Sequence, residues 1–163
     1  MQRFLNNIFV LGLIMSVAAC TSTAKKDEDI AAPMAADTDA AMVDPLSDPS
    51  SPLATRVIYF DFDKSIIKDE FKDVITAHAD YLVSHPDVAV VLEGHADERG
   101  SREYNIALGE RRAKAVEQLF IVQGVMQKQI QVISFGEERP VALGHDESAW
   151  ALNRRVEILY SGL

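Results

Sequence analysis

From Gly94 to Asn105 the chain reads Gly-His-Ala-Asp-Glu-Arg-Gly-Ser-Arg-Glu-Tyr-Asn, and it continues Ile-Ala-Leu-Gly-Glu-Arg-Arg-Ala to Ala113. Acids and bases crowd this stretch. Asp97 can hold a cation, while Arg112 offers a planar fork of donors suited to a carboxylate. Leu108 and Arg112 are four residues apart, so on a helix they share a face, and an arginine there can reach a group held by the preceding loop. A site with both signs of charge suits a zwitterionic ligand. The bland alternative is an ordinary surface ion pair between Asp97 and Arg112, which would be worth little.

Other chemistries are poorly provided for. Asp97 and Glu98 are adjacent and so point different ways, whereas cleavage of a glycan needs two carboxyl groups facing each other across a bond. No Gly-x-Ser-x-Gly elbow or phosphate loop occurs, so no catalytic residue is assigned. His78, His85, His95 and His145 lack ligand spacing, and neither a metal site nor a cofactor is expected. Arg111 reads as solvated or packed on a sheet. Arg154 and Arg155 read as partners for the acidic excess, outside the site.

The elements that must position Asp97 and Arg112 can be read from periodicity. Val57–Phe60 is a short β-rich run, and Phe71, Val74, Ile75, His78 and Leu82 recur at helical steps in a segment that must stop before Pro86. Val88–Leu92 is an apolar, β-branched run that suggests a strand buried on both faces. It feeds the polar loop directly. Ile106, Ala113, Val116, Leu119 and Phe120 mark a second helix, with Gly124 placed to cap its end. Ile130–Phe135 and Val156–Tyr160 are two further strands, joined by a polar connection with Pro140 and a short helix over Asp146–Leu152. The order β-α-β-α-β-(α)-β predicts an α+β domain with helices on one face of a mixed four-stranded sheet.

The whole chain of 163 residues carries a net charge of -9 and a single cysteine. The acidity argues against nucleic-acid binding, and one cysteine excludes an internal disulfide. Arg3 precedes the apolar run Ile8–Ala19, which is long enough for a secretion signal but short for a membrane span. Val17-Ala18-Ala19-Cys20 resembles the lipobox of bacterial lipoproteins, which implies a signal over residues 1–19 and a lipidated Cys20. Thr21, where an Asp would imply retention in the inner membrane, implies the outer membrane. Residues 20–54, rich in Ala, Asp, Ser, Thr and Pro, read as a flexible linker, so the domain is expected over 55–163. From Cys20 to Val57 such a linker reaches about 120 Å fully drawn out and averages about 35 Å as a coil.

Tyr59-Phe60-Asp61-Phe62-Asp63, the loop Gly94–Gly100, the run Asn105–Ala113 and the late Asn153-Arg154-Arg155-Val156-Glu157 together resemble the OmpA-like peptidoglycan-binding domain family. The resemblance spans about residues 55–160 and rests on several motifs in the right order. It implies a domain that binds, without covalent chemistry, the meso-diaminopimelate residue of the peptidoglycan peptide stem. Asp97 would then take the ligand's ammonium and Arg112 its carboxylate. Phe62 and Asp63 would supply first-loop contacts and Leu108 a wall, with Arg99 and Tyr104 as neighbours. Trp150 stands where the family often has Tyr, away from the expected site, and Asn105 is expected to cap the second helix. Lipoprotein members of the family also dock TolB-like and TolA-like proteins, so an interaction hub is the second function implied.

Overall fold

The computed structural model describes residues 45–161. The secretion signal, Cys20 and most of the expected linker lie outside these residues. Four strands and three α-helices alternate: β1 (Val57–Tyr59), α1 (Lys72–Ser84), β2 (Ala89–His95), α2 (Arg102–Val122), β3 (Ile130–Gly136), α3 (Glu147–Asn153) and β4 (Arg155–Ser161). This is the α+β order expected. The strands lie in the order β1-β4-β2-β3, with β2 and β3 parallel and β4 antiparallel to both β1 and β2.

The inward residues Ile58, Val90, Leu92, Val156 and Ile158 meet Ile75 and Leu82 of α1 and Val116 and Phe120 of α2 in one core. β2 alternates rather than being buried on both faces: Val90 and Leu92 face the core, while Val91 and Glu93 are half-buried. Period-2 side chains explain this, because helices cover only one face of the sheet. α1 stops at Ser84 beside Pro86, and Gly124, at φ +100°, turns the chain beyond α2 as expected. The cap of α2 is a correction. Ser101, not Asn105, accepts the exposed Tyr104 amide at 3.2 Å, and Asn105 is buried within the helix, donating to Glu137.

Residues 45–54, assigned to the linker on composition, include the buried Leu46 and Leu53. A 3-10 turn over Pro52–Ala54 follows the Ser51 cap, and Arg56 Nη2 donates to the Leu46 carbonyl at 2.9 Å. Two isolated leucines among Pro and Ser make no periodic signal, so composition hid an apolar contact that only the packed domain supplies.

Two buried histidines bear on stability. His78 Nε2 lies 2.9 Å from the Thr55 carbonyl, which can only accept, so Nδ1 accepts from the Tyr160 hydroxyl at 2.7 Å. Burial holds His78 below its ordinary pKa, with the Thr55 carbonyl pulling the other way. Burial and the neighbouring Arg155 push His95 down to about 4, against an opposing pull from Glu157. Both rings therefore bind a proton more readily unfolded, and the domain should lose stability as pH falls below about 6.5. From pH 7.5 to pH 5 the His95 contribution is about 2 kcal/mol. Melting followed by circular dichroism should show this decline, and His95→Leu should flatten it. A wild-type melting temperature constant over that window would contradict the assignment.

Candidate binding site

The polar loop 96–101 leaves β2 and enters α2, and two glycines fix how closely these elements approach. A Cβ on Gly94 would overlap the Gly109 carbonyl, and one on Gly109 would lie 2.8 Å from the Gly94 carbonyl oxygen and 2.5 Å from Ser134 Oγ. Backbone therefore packs on backbone. With Gly109 seated on the strand, Leu108 and, one turn on, Arg112 are set beneath the loop.

Arg112 is 0% exposed. Its Nε donates to the Lys64 carbonyl at 2.8 Å, Nη1 to the His95 carbonyl at 2.7 Å and Nη2 to the Asp61 carbonyl at 3.1 Å. These bonds stitch the loop after β1 to the end of β2, which puts Phe62 and Asp63 beside Asp97. Burial pushes the guanidinium down to about 10, while the charge of Asp97 pulls it back upward. It stays charged at neutral pH. Among the described residues no salt bridge neutralises it: three of its five donors are spent on neutral carbonyls, and its charge faces the Phe60 ring at 5.4 Å and no carboxylate directly. Asp97 and Arg112 are thus not the ion pair that the bland alternative supposed.

Asp97 is buried and fully engaged. Its carboxylate accepts from Arg99 N (3.1 Å), Arg99 Nε (3.2 Å), Arg99 Nη2 (2.7 Å) and Arg154 Nη1 (3.3 Å). Burial alone would raise its pKa, but the hydrogen bonds from Arg99 and Arg154 outweigh it and hold the carboxyl below its ordinary value. The Arg99 guanidinium is sandwiched, 4.0 Å from the Phe62 ring centroid and 4.1 Å from that of Trp150. On the other wall Tyr104 donates to Asp63, whose φ of 54° is a left-handed conformation that costs most side chains energy and that Asp tolerates better.

A cavity of about 240 Å³ results, and Phe62, Asp63, Asp97, Arg99, Leu108 and Arg112 all line it, with Gly100 and Tyr104 completing the wall. The structure thus brings together every residue assigned to the site from sequence, apart from Cys20. Two readings need correction. Arg154, placed outside the site, is 5% exposed, bonds Asp97 and also donates to Phe60 O at 3.1 Å and Glu147 at 2.5 Å. Trp150, judged remote, packs on Arg99 and donates from Nε1 to Glu98 at 2.9 Å. Both come from the end of the chain, and only the insertion of β4 between β1 and β2 carries them there. Their signal was the Asn153-Arg154-Arg155 motif, which composition allowed to be read as charge balance. Arg111 is exposed, with its guanidinium 5.5 Å from the Tyr104 ring centroid. Arg155 is buried away from the cavity, donating to Glu157 and to the Arg139 carbonyl. Among the described residues no group of three or more His, Cys, Asp or Glu could hold a metal ion.

Known proteins share this sequence and fold. Residues 59–154 match the OmpA family. The peptidoglycan-associated lipoprotein of Pseudomonas aeruginosa is 52% identical over 113 residues, which are 69% of this chain and 67% of that protein. That of Pasteurella multocida is 39% identical over 160 residues, 98% of this chain and 100% of its relative. The crystal structure of the peptidoglycan-associated lipoprotein from Burkholderia pseudomallei superposes with a TM-score of 0.71 at 49% identity, covering 72% of this chain and 100% of that one. The C-terminal domain of Helicobacter pylori MotB, at 23% identity and a TM-score of 0.60, shares the fold. A match across most of the folded residues, with relatives alike along nearly the whole chain, leaves one conclusion: the chain belongs to the OmpA family, among the peptidoglycan-associated lipoproteins.

Proposed function

We propose that this chain is an outer-membrane lipoprotein whose periplasmic domain binds the meso-diaminopimelate residue of the peptidoglycan stem and tethers membrane to wall within the Tol-Pal system. The observation that carries the reading is the cavity floor, where a buried guanidinium without a salt bridge among the described residues shares one cavity with a buried carboxylate. Free diaminopimelate termini carry an ammonium and a carboxylate on one carbon, which matches the two signs that share the cavity. Leu108 gives the side chain's methylenes an apolar wall. The relatives' name, peptidoglycan-associated lipoprotein, supports the same ligand and the anchor at Cys20.

The test is retention of residues 45–163 on purified wall sacculi. Wall with diaminopimelate should bind the domain, wall with lysine in its place should not, and no new reducing ends or free peptide should be released. Equal retention on both walls would refute the ligand assignment, and released fragments would refute a purely binding role. In cells, Cys20→Ser should shift the protein from the outer-membrane to the soluble fraction. A docking role toward TolB-like and TolA-like proteins is the second reading. It is favoured by the loop after β3, where the exposed Leu143 lines a second cavity of about 200 Å³ together with Glu98 and Glu137, and Val141 in the same loop is exposed as well.

A further inference from the structure

We propose that Arg99 is an internal stand-in for the ligand's cation, occupying Asp97 here and leaving it when the ammonium of a stem peptide arrives. The proposal rests on the reading of this cavity as the stem-peptide site. It starts from the hydrogen-bond capacity of a carboxylate, which has about four acceptor positions. Asp97 accepts four N–H groups, three of them from Arg99 and one from Arg154. An incoming ammonium therefore needs a donor to withdraw.

The two arginines differ in what holds them. Arg154 is fixed, with a side chain 7% exposed and bonds to Phe60 O and Glu147. Arg99 has a side chain 30% exposed, with solvent at one edge and aromatic rings on both faces. Arg99 is the donor that can move. Access points the same way: Asp97 is 4% and Arg112 0% exposed, while Phe62 and Tyr104 on the rim are 53% and 44% exposed. The polar floor thus lies deep beneath this rim, and the Arg99 side chain is the polar group on the rim that is tied to it.

Exchange of one cation for another keeps Asp97 neutralised throughout, so the buried carboxylate is never left uncompensated. What ligand binding gives up is the Arg99–Asp97 fork, the two ring stacks and the 3.6 Å ion pair of Arg99 with the exposed Glu147, which a solvated arginine largely regains in water. Arg99 therefore weakens the complex by the strength of its own contacts. In this reading Arg99, which the family resemblance implied as a neighbour in the site, sets affinity without contacting the ligand.

Calorimetric titration of residues 45–163 with the tripeptide L-Ala-γ-D-Glu-meso-diaminopimelate tests this, alongside the same peptide acetylated on its free diaminopimelate amine. Arg99→Met removes the charge but leaves a flexible apolar chain between the rings. It should bind the free tripeptide at least fivefold more tightly than wild type, with Arg99→Lys in between, and should give no such gain for the acetylated peptide. Equal or weaker binding of the free tripeptide by Arg99→Met would overturn the proposal. A wild type that binds no tripeptide would instead overturn the function above. A readout without a variant is the Arg99 Nε–H resonance of the wild type. Saturation with tripeptide should move it from its ring-shifted position toward that of a solvated arginine, and an unmoved resonance counts against release.

Discussion

Arg112→Ala is expected to reduce binding to diaminopimelate-containing wall at least tenfold and to lower the melting temperature. Truncating one partner of a desolvated charge pair typically costs about 2 to 5 kcal/mol, much of it from the charge left unpaired. Here that charge would be the ligand's carboxylate. The stability loss has a separate origin, because the carbonyls of Asp61, Lys64 and His95 all lose their donor. Each buried acceptor left unmet costs about 1 to 3 kcal/mol unless water enters. Arg112→Lys keeps the charge but can satisfy fewer of these fixed carbonyls while facing a ligand, so it should restore binding only in part. A tripeptide amidated at the free diaminopimelate carboxylate separates contact from fold. Wild type should lose about as much affinity for the amide as Arg112→Ala loses for the acid, and Arg112→Ala should bind both peptides alike. If folded Arg112→Ala held wall as tightly as wild type, the carboxylate site would have to be sought elsewhere. Asp97→Asn should weaken binding as well, but it also strips a buried partner from Arg154, so its melting temperature must be read beside its affinity. Lys114→Ala, at an exposed pair with Glu110 on α2, is the control and should leave both binding and melting unchanged.

Gly94→Ala should be the most damaging single methyl group in the domain. Overpacking a core typically costs about 1 to 3 kcal/mol because side chains can turn aside. Here the added carbon meets the Gly109 carbonyl, which is helix backbone, and Gly109 in turn faces Ser134 at close range. Helix backbone cannot rotate away as a side chain can, so α2 must lift from β2. A cost of about 4 kcal/mol, with a fall in melting temperature of roughly 15 °C, is expected for a domain of this size. Lifting α2 also carries Leu108 and Arg112 out from under the loop, so wall binding should fall even at temperatures where the variant is folded. Circular dichroism melting checks the first effect and sacculus retention the second. A melting temperature within a few degrees of wild type would show that the close approach of strand and helix is not required.

The elements were legible because their signals are local. Helical steps in Phe71–Leu82 and Ile106–Phe120, Pro86 and Gly124 as stops, and β-branched runs at Val88–Leu92 and Ile130–Phe135 each reflect periodicity or backbone freedom within a few residues. The charges of Asp97 and Arg112, on a loop and the helix behind it, were close enough in sequence for their meeting to be inferred. Phe62 and Asp63 came only with the family resemblance, since nothing local links residue 62 to residue 112. Arg112's bonds to Asp61 and Lys64 make that link, and they span about fifty residues of chain.

By itself, then, the sequence determined the order of strands and helices, the acidic character, and the two charges that define the candidate site, because each depends on residue type and short spacing. Tertiary structure decided the rest. It placed β4 between β1 and β2, which brought Arg154 onto Asp97 and Trp150 onto Arg99 from the far end of the chain. It buried Leu46 and Leu53, which composition had given to the linker. It also made Asp97 saturated and left Arg112 without a salt bridge among the described residues, a distinction that no spacing encodes. Hydrogen-bond partners and desolvation depend on which groups surround a charge in space, and those groups were gathered here from three separate segments of the chain.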